Sequence, residues 1–225
     1  MYLRLLYIAL IVLLAIPVRA AEPSKSPIGA AFGDPYSSRV PDPFPPDALV
    51  KGGTSTSHAE CPALLDYRLS DLRGRPIDLC AFQGKVLLMV NTASYCGYTP
   101  QYKGLEALQE RFGSAGLVVM GFPTNDFGAQ EPGSNAEIQD FCEATYGVRF
   151  PMFGKITVKG QETLPLFARL MTTVPAGGGP TGAIGWNFEK FLVDRHGKLI
   201  ARFRSAVEPN DEEMTALLQK ALRAS

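Results

Sequence analysis

Histidine is almost missing from this chain of 225 residues, which carries His58 and His196 and no others. With neither near a cysteine in any motif, a histidine-built metal centre and a Cys–His hydrolase both lack their parts. Charge of either sign is missing in excess, with 22 basic against 22 acidic side chains, so no basic face for nucleic acid is expected. Cysteine is sparse: Cys61, Cys80, Cys96 and Cys142. No two of them form a Cys-x-x-Cys turn, and Cys96-Gly97-Tyr98-Thr99 has threonine where a thiol-disulfide oxidoreductase needs its second sulfur. Long apolar runs are absent too. The longest, Leu5 to Val18, would span roughly 21 Å as a helix, short of a hydrocarbon core of about 30 Å.

What is present divides into three segments. Residues 1–20 combine an early arginine, that apolar run and Val18-Arg19-Ala20 as a small-residue cleavage site, the pattern of a signal peptide. The expectation is an exported protein, periplasmic or secreted, with no membrane span after processing; an uncleaved N-terminal anchor is the alternative. Residues 21–60 hold seven prolines with scattered Gly, Ser and Thr, the composition of a flexible linker. In it Phe32, Tyr36 and Phe44 are expected to be solvated. Residues 61–225 are long enough for one good core and form the expected catalytic domain.

Within that domain the pattern alternates between strand and helix. A short hairpin (64–69 and 76–79, turning near Gly74) precedes strand 85–91, helix 100–112 and strand 117–121. Helix 134–145, strand 154–158, helix 163–172, a second hairpin (188–194 and 198–204) and helix 210–223 follow. This is an α/β pattern: a central mixed β-sheet with helices on both faces and an N-terminal β-hairpin. Cys61 and Cys80 flank the first hairpin, and in an exported chain a structural disulfide between them is expected, closing about 20 residues for roughly 3 kcal/mol.

Cys96 occupies the place where a reactive thiol would be built. The run KVLLMV is a strand buried on both faces, the loop after it is small and polar, and a helix can begin at Pro100. Helix N-termini favour thiolate. Lowering a thiol pKa from about 8.5 to about 7 takes roughly 2 kcal/mol, of which a helix terminus supplies about 0.3 to 1. Donors aimed at the sulfur must supply the rest, at about 1.5 to 3 kcal/mol for each bond to a charged group. Gln130, in the loop after strand 117–121, and Trp186 with Asn187, at the next strand entry, are uncharged donors of the required type.

Four stretches, VNTASYCGYTPQY, GFPTNDFGAQEPGSN, FPMFGKI and WNFEKFLVDRHGK, occur in that order, and in them the chain resembles the glutathione peroxidase family in its cysteine-containing bacterial form. The resemblance covers about residues 61 to 222 and implies a thioredoxin-like fold. It also implies thiol-dependent reduction of hydrogen peroxide and organic or lipid hydroperoxides in antioxidant defence. Carried over by motif, the catalytic tetrad is Cys96, Gln130, Trp186 and Asn187. No bound cofactor or metal is implied, only an external thiol, thioredoxin-like protein or glutathione, as co-substrate. Tyr98 stands where some relatives carry a basic residue that helps hold glutathione. Cys142, near the place of a resolving cysteine but one residue early, is read either as that resolving thiol or as a buried apolar cysteine. The Gly177 to Gly185 connection lacks the longer insertion of tetrameric relatives, so a monomer is expected. Two other readings stay open, a thiol-disulfide oxidoreductase and a non-catalytic thioredoxin-fold binding module.

Overall fold

The computed structural model describes residues 42–45, 48 and 60–224. The segment assigned to a signal peptide, and most of the proline-rich linker with Phe32 and Tyr36, lie outside the described residues. Phe44 does not. It is buried, meeting the ring of Phe153 edge-on at 5.5 Å, while Asp42 pairs with Arg75 at 2.5 Å. The expectation of a solvated Phe44 is therefore corrected: two residues from Asp42, it has an apolar pocket to enter.

The chain then forms a small antiparallel hairpin, β1 (Arg68–Ser70) and β2 (Pro76–Asp78). Its turn is organised by Asp71, whose carboxylate accepts from the backbone N–H groups of Arg73 and Arg75 and from Arg75 Nε. Gly74, at φ 76°, supplies the left-handed residue that the turn requires. Cys61 and Cys80 are disulfide-bonded across this unit, with Cα atoms 5.8 Å apart. The first arm is shorter than its apolar residues imply, because 62–67 close turns of their own, with Leu65 N–H donating to the Pro62 carbonyl.

The main sheet contains β3 (Val86–Thr92), β4 (Leu117–Pro123), β5 (Lys190–Val193) and β6 (Leu199–Phe203) in the order β4-β3-β5-β6, parallel between β3 and β4 and antiparallel elsewhere. All seven residues of β3 are buried, as a central strand covered on both faces must be. Val86, Leu88 and Val90 point to one face, under α1 (Gln101–Phe112), α2 (Asn135–Tyr146) and α4 (Glu212–Arg223). Leu87 and Met89 point to the other, toward α3 (Pro165–Thr172) and the N-terminal hairpin. Helix starts follow local chemistry: Ser134 and Glu137 form a capping box on α2, Asp211 caps α4, and Pro165 opens α3.

One expected strand is not formed. Residues 154–158 make a single bridge, Ile156 to Thr124, because polar side chains take their backbone donors. Asn135 Oδ1 accepts from Lys155 N–H, and the Asp126 carboxylate accepts from the N–H groups of Val158 and Lys159. Local side-chain acceptors have displaced a ladder.

Candidate active site

Three loops meet at the C-terminal end of β3. The first, Ala93 to Pro100, carries Cys96 from β3 into α1 and is braced internally: Thr99 Oγ1 accepts from Cys96 N–H at 3.0 Å and donates to the Ala93 carbonyl at 2.8 Å. The Tyr98 N–H is directed at Cys96 Sγ, 3.5 Å away. The sulfur thus lies just ahead of the first turn of α1 and receives a backbone donor.

The second loop follows β4. Tyr95 N–H donates to the Gln130 carbonyl at 3.0 Å, and Ser94 Oγ donates to Glu131 Oε2 at 3.1 Å, so residues 94–95 are paired with 130–131 beside the cysteine. Asn125 Oδ1 holds the Glu131 N–H. The third loop enters β5, and Asn91, one residue before the end of β3, controls it. Its Nδ2 donates to the Trp186 carbonyl, its Oδ1 accepts from Glu189 N–H, and its backbone carbonyl accepts from Phe188 N–H. Beneath, the buried Glu189 carboxylate receives Gly185 N–H, Arg202 and Arg204, while Arg202 also donates to the carbonyls of Gly182 and Ala183.

These frames bring the expected residues together unevenly. Asn187 Nδ2 donates to Gln130 Oε1 at 3.0 Å, joining two amides 57 positions apart. Gln130 and the Trp186 ring both flank Gly128, since a Cβ there would sit 3.5 Å from Gln130 Cγ and 3.6 Å from Trp186 Cη2. Cys96 reaches this group through the paired backbone at Tyr95, and the donor directed at its sulfur belongs to Tyr98. Asn187 is fully buried, Cys96 nearly so, whereas Trp186 is 40 % exposed and Tyr95 67 %.

Backbone strain marks the same place. Ala129 (φ 52°) and Phe188 (φ 63°) are the non-glycine residues with left-handed backbone among those described, and they adjoin Gln130 and Asn187. Such conformations cost on the order of 1 kcal/mol each and persist where surrounding contacts enforce them.

The chain belongs to the glutathione peroxidase family. The family model described as glutathione peroxidase matches residues 64–171. A hydroperoxy fatty acid reductase of a Synechocystis species is 52% identical over 160 residues, spanning 69% of this chain and 94% of that relative. A glutathione peroxidase-like peroxiredoxin of Saccharomyces cerevisiae is 45% identical over 157 residues, spanning 69% and 96%. Among solved structures, T. cruzi GPX1 superposes with a TM-score of 0.57 at 31% identity over 71% of this chain and 95% of its own, consistent with the thioredoxin-like fold seen here.

The other sequence candidates are resolved differently. Cys142, on α2, is a free thiol, 1 % exposed, and burial pushes it up to about 12. It faces Tyr102 on α1. Among the described residues no group of histidines, cysteines and carboxylates forms a metal site, and no helix is long and apolar enough to cross a membrane. Sequence reasoning missed Asn91, Ser94, Glu131, Glu189 and Arg202. Two of them had a readable signal: Glu131 and Glu189 are carboxylates placed inside the GAQEPG and WNFEKF motifs.

Proposed function

We propose that this glutathione peroxidase family member reduces hydroperoxides by a Cys96 thiolate and sulfenic acid cycle, with Gln130, Trp186 and Asn187 as its donors. The sulfur attacks one peroxide oxygen, an S–O bond forms as the O–O bond breaks, and the departing hydroxide or alkoxide leaves as water or alcohol. Neutral N–H groups suit both ends of that step, tempering the thiolate without suppressing its nucleophilicity and stabilising the departing oxyanion. A single observation carries the reading: the Gln130–Asn187 bond, held between two left-handed residues next to the Cys96 loop.

Tyr95 and Trp186 give the site an exposed aromatic rim, which favours organic or lipid hydroperoxides beside hydrogen peroxide. With Tyr98 in place of a basic residue, a thioredoxin-like protein is the proposed reductant and glutathione the alternative. The Cys61–Cys80 bond supports export to an oxidising compartment, periplasmic or secreted. Cys142 is proposed as the resolving thiol only if α2 loosens, since it is buried against Tyr102.

Reduced protein given one equivalent of peroxide is expected to consume it at once and yield a trappable sulfenic acid on Cys96. Turnover is then compared with a thioredoxin system, with glutathione and with no reductant. Unchanged peroxide in the presence of fully reduced Cys96 would overturn the reading.

A further inference from the structure

Peroxide reduction moves a proton as well as an oxygen. The resting thiol must lose one, and the departing alkoxide or hydroxide must gain one. The amides of Gln130 and Asn187 and the indole of Trp186 donate hydrogen bonds but cannot take up a proton near neutral pH. The proton needs another carrier.

Beside the Cys96 loop lies a group of buried polar side chains that the donor set does not use. Thr92 Oγ1 at the end of β3, Tyr102 OH on the first turn of α1 and Glu131 Oε1 are all buried and lack a hydrogen-bond partner. The Tyr102 hydroxyl faces the Thr92 hydroxyl and the Cys142 thiol without a well-formed bond to either, and Glu131 lies close enough to act electrostatically on both Tyr102 and Cys142. The other carboxylate oxygen of Glu131 is held by Ser94, two residues before Cys96.

We propose that Glu131 carries the proton of the peroxidase reaction, accepting it as the Cys96 thiol ionises and delivering it to the oxygen released when the O–O bond breaks. The inference rests on the peroxidase reading above. In the first step the S–H bond breaks and the Glu131 carboxylate becomes a carboxylic acid, the proton passing by way of the Ser94 hydroxyl and water. Next the thiolate lone pair forms the S–O bond, the O–O pair departs on the leaving oxygen, sulfur is oxidised by two electrons and the peroxide is reduced. Finally the leaving oxygen takes the Glu131 proton, and the carboxylate is regenerated.

The surroundings fit a carboxyl that holds its proton. Burial raises Glu131 above the ordinary glutamate range, against the Ser94 hydrogen bond and the charge of Lys155, which lower it. The ionisable groups facing it are Tyr102 from α1, Cys142 from α2 and Lys155 from the segment between α2 and α3. The first two, whose ordinary values already lie above neutral, are pushed further upward by burial, which leaves Glu131 as the carboxylic member of the group.

Glu131→Gln keeps an oxygen for Ser94 and removes the titration. Stopped-flow oxidation of the reduced variant by peroxide is expected to be about 100-fold slower than wild type, and the acid limb of the wild-type pH profile, where Glu131 gains a proton and can no longer accept one, is expected to vanish. Glu131→Asp should restore part of the rate with the limb. A Glu131→Gln rate equal to wild type overturns the proposal. A slow rate that keeps the wild-type pH profile also overturns it, since that loss would be positional. If the variant does not fold, infrared spectra of wild type labelled on glutamate decide: a protonated carboxyl must appear over the same pH range in which the peroxide rate falls, and its absence there overturns the idea. Wild type that consumes no peroxide would instead mark failure of the peroxidase reading itself.

Discussion

The two free thiols sit in opposite kinds of surroundings. Cys96 lies in a loop ahead of a helix, with a backbone N–H on its sulfur, and the next residue back, Tyr95, is paired through its backbone with Gln130, which bonds Asn187. Cys142 lies on the inner side of α2 among Ile138, Tyr102 and the apolar residues of the sheet, where burial outweighs what the Tyr102 hydroxyl offers an anion. Burial alone therefore does not make a cysteine reactive or inert. What separates the two is whether a backbone donor has been turned toward the sulfur before any substrate arrives.

Exchanging the two sulfurs tests that contrast most severely. Cys96→Ser is expected to abolish peroxide consumption, while Cys142→Ser keeps the first equivalent at wild-type rate; loss in both would erase the distinction. The support beneath the donor loop comes next. Arg202→Met leaves the Glu189 carboxylate facing only Arg204 and Gly185, and breaking such a buried pair is expected to cost about 3 to 5 kcal/mol in denaturant titrations.

Alkaline pH probes the other thiol. Its folded value of about 12 lies above the ordinary value of 9.0, so between them the unfolded chain has given up a proton that the folded chain retains. The contribution of Cys142 is thus complete below about pH 9 and fades as pH rises toward 12, by up to about 4 kcal/mol. Wild type should lose that stability relative to Cys142→Ala, and parallel stability curves for the two would refute the assignment. Replacing Cys61 and Cys80 together by serine should cost about 3 kcal/mol of stability and leave the first peroxide equivalent intact, because the hairpin packs on the opposite face of the sheet from Cys96. The smallest effect is expected at Ala129, where glycine relieves the left-handed strain: a stabilisation below about 1 kcal/mol, read as a rise in Tm.

Much of the architecture was legible because period and punctuation agreed. The buried run of β3, the helices opened by Pro100, Ser134 and Pro165, and the late hairpin lie within a few residues of their expected places. Segment 154–158 was misread because Asn135 and Asp126 claim its N–H groups from a distance, a competition that hydrophobic alternation does not register. Phe44 was misread because composition describes the average of a segment and not one ring with a pocket within reach. At the site, motif spacing singled out Cys96, Gln130, Trp186 and Asn187 as candidates, but not what holds their loops. Asn91 reads as a polar interruption of a strand, and its partners lie 95 to 98 positions away.

That asparagine has a wider implication. By gripping the 186–189 segment from the rigid centre of the sheet, it sets the placement of the indole and amide by strand geometry and frees it from the length or composition of the outer loops. Loop remodelling for a new oxidant or electron donor can then proceed as a separate design problem, provided this internal peg is left untouched.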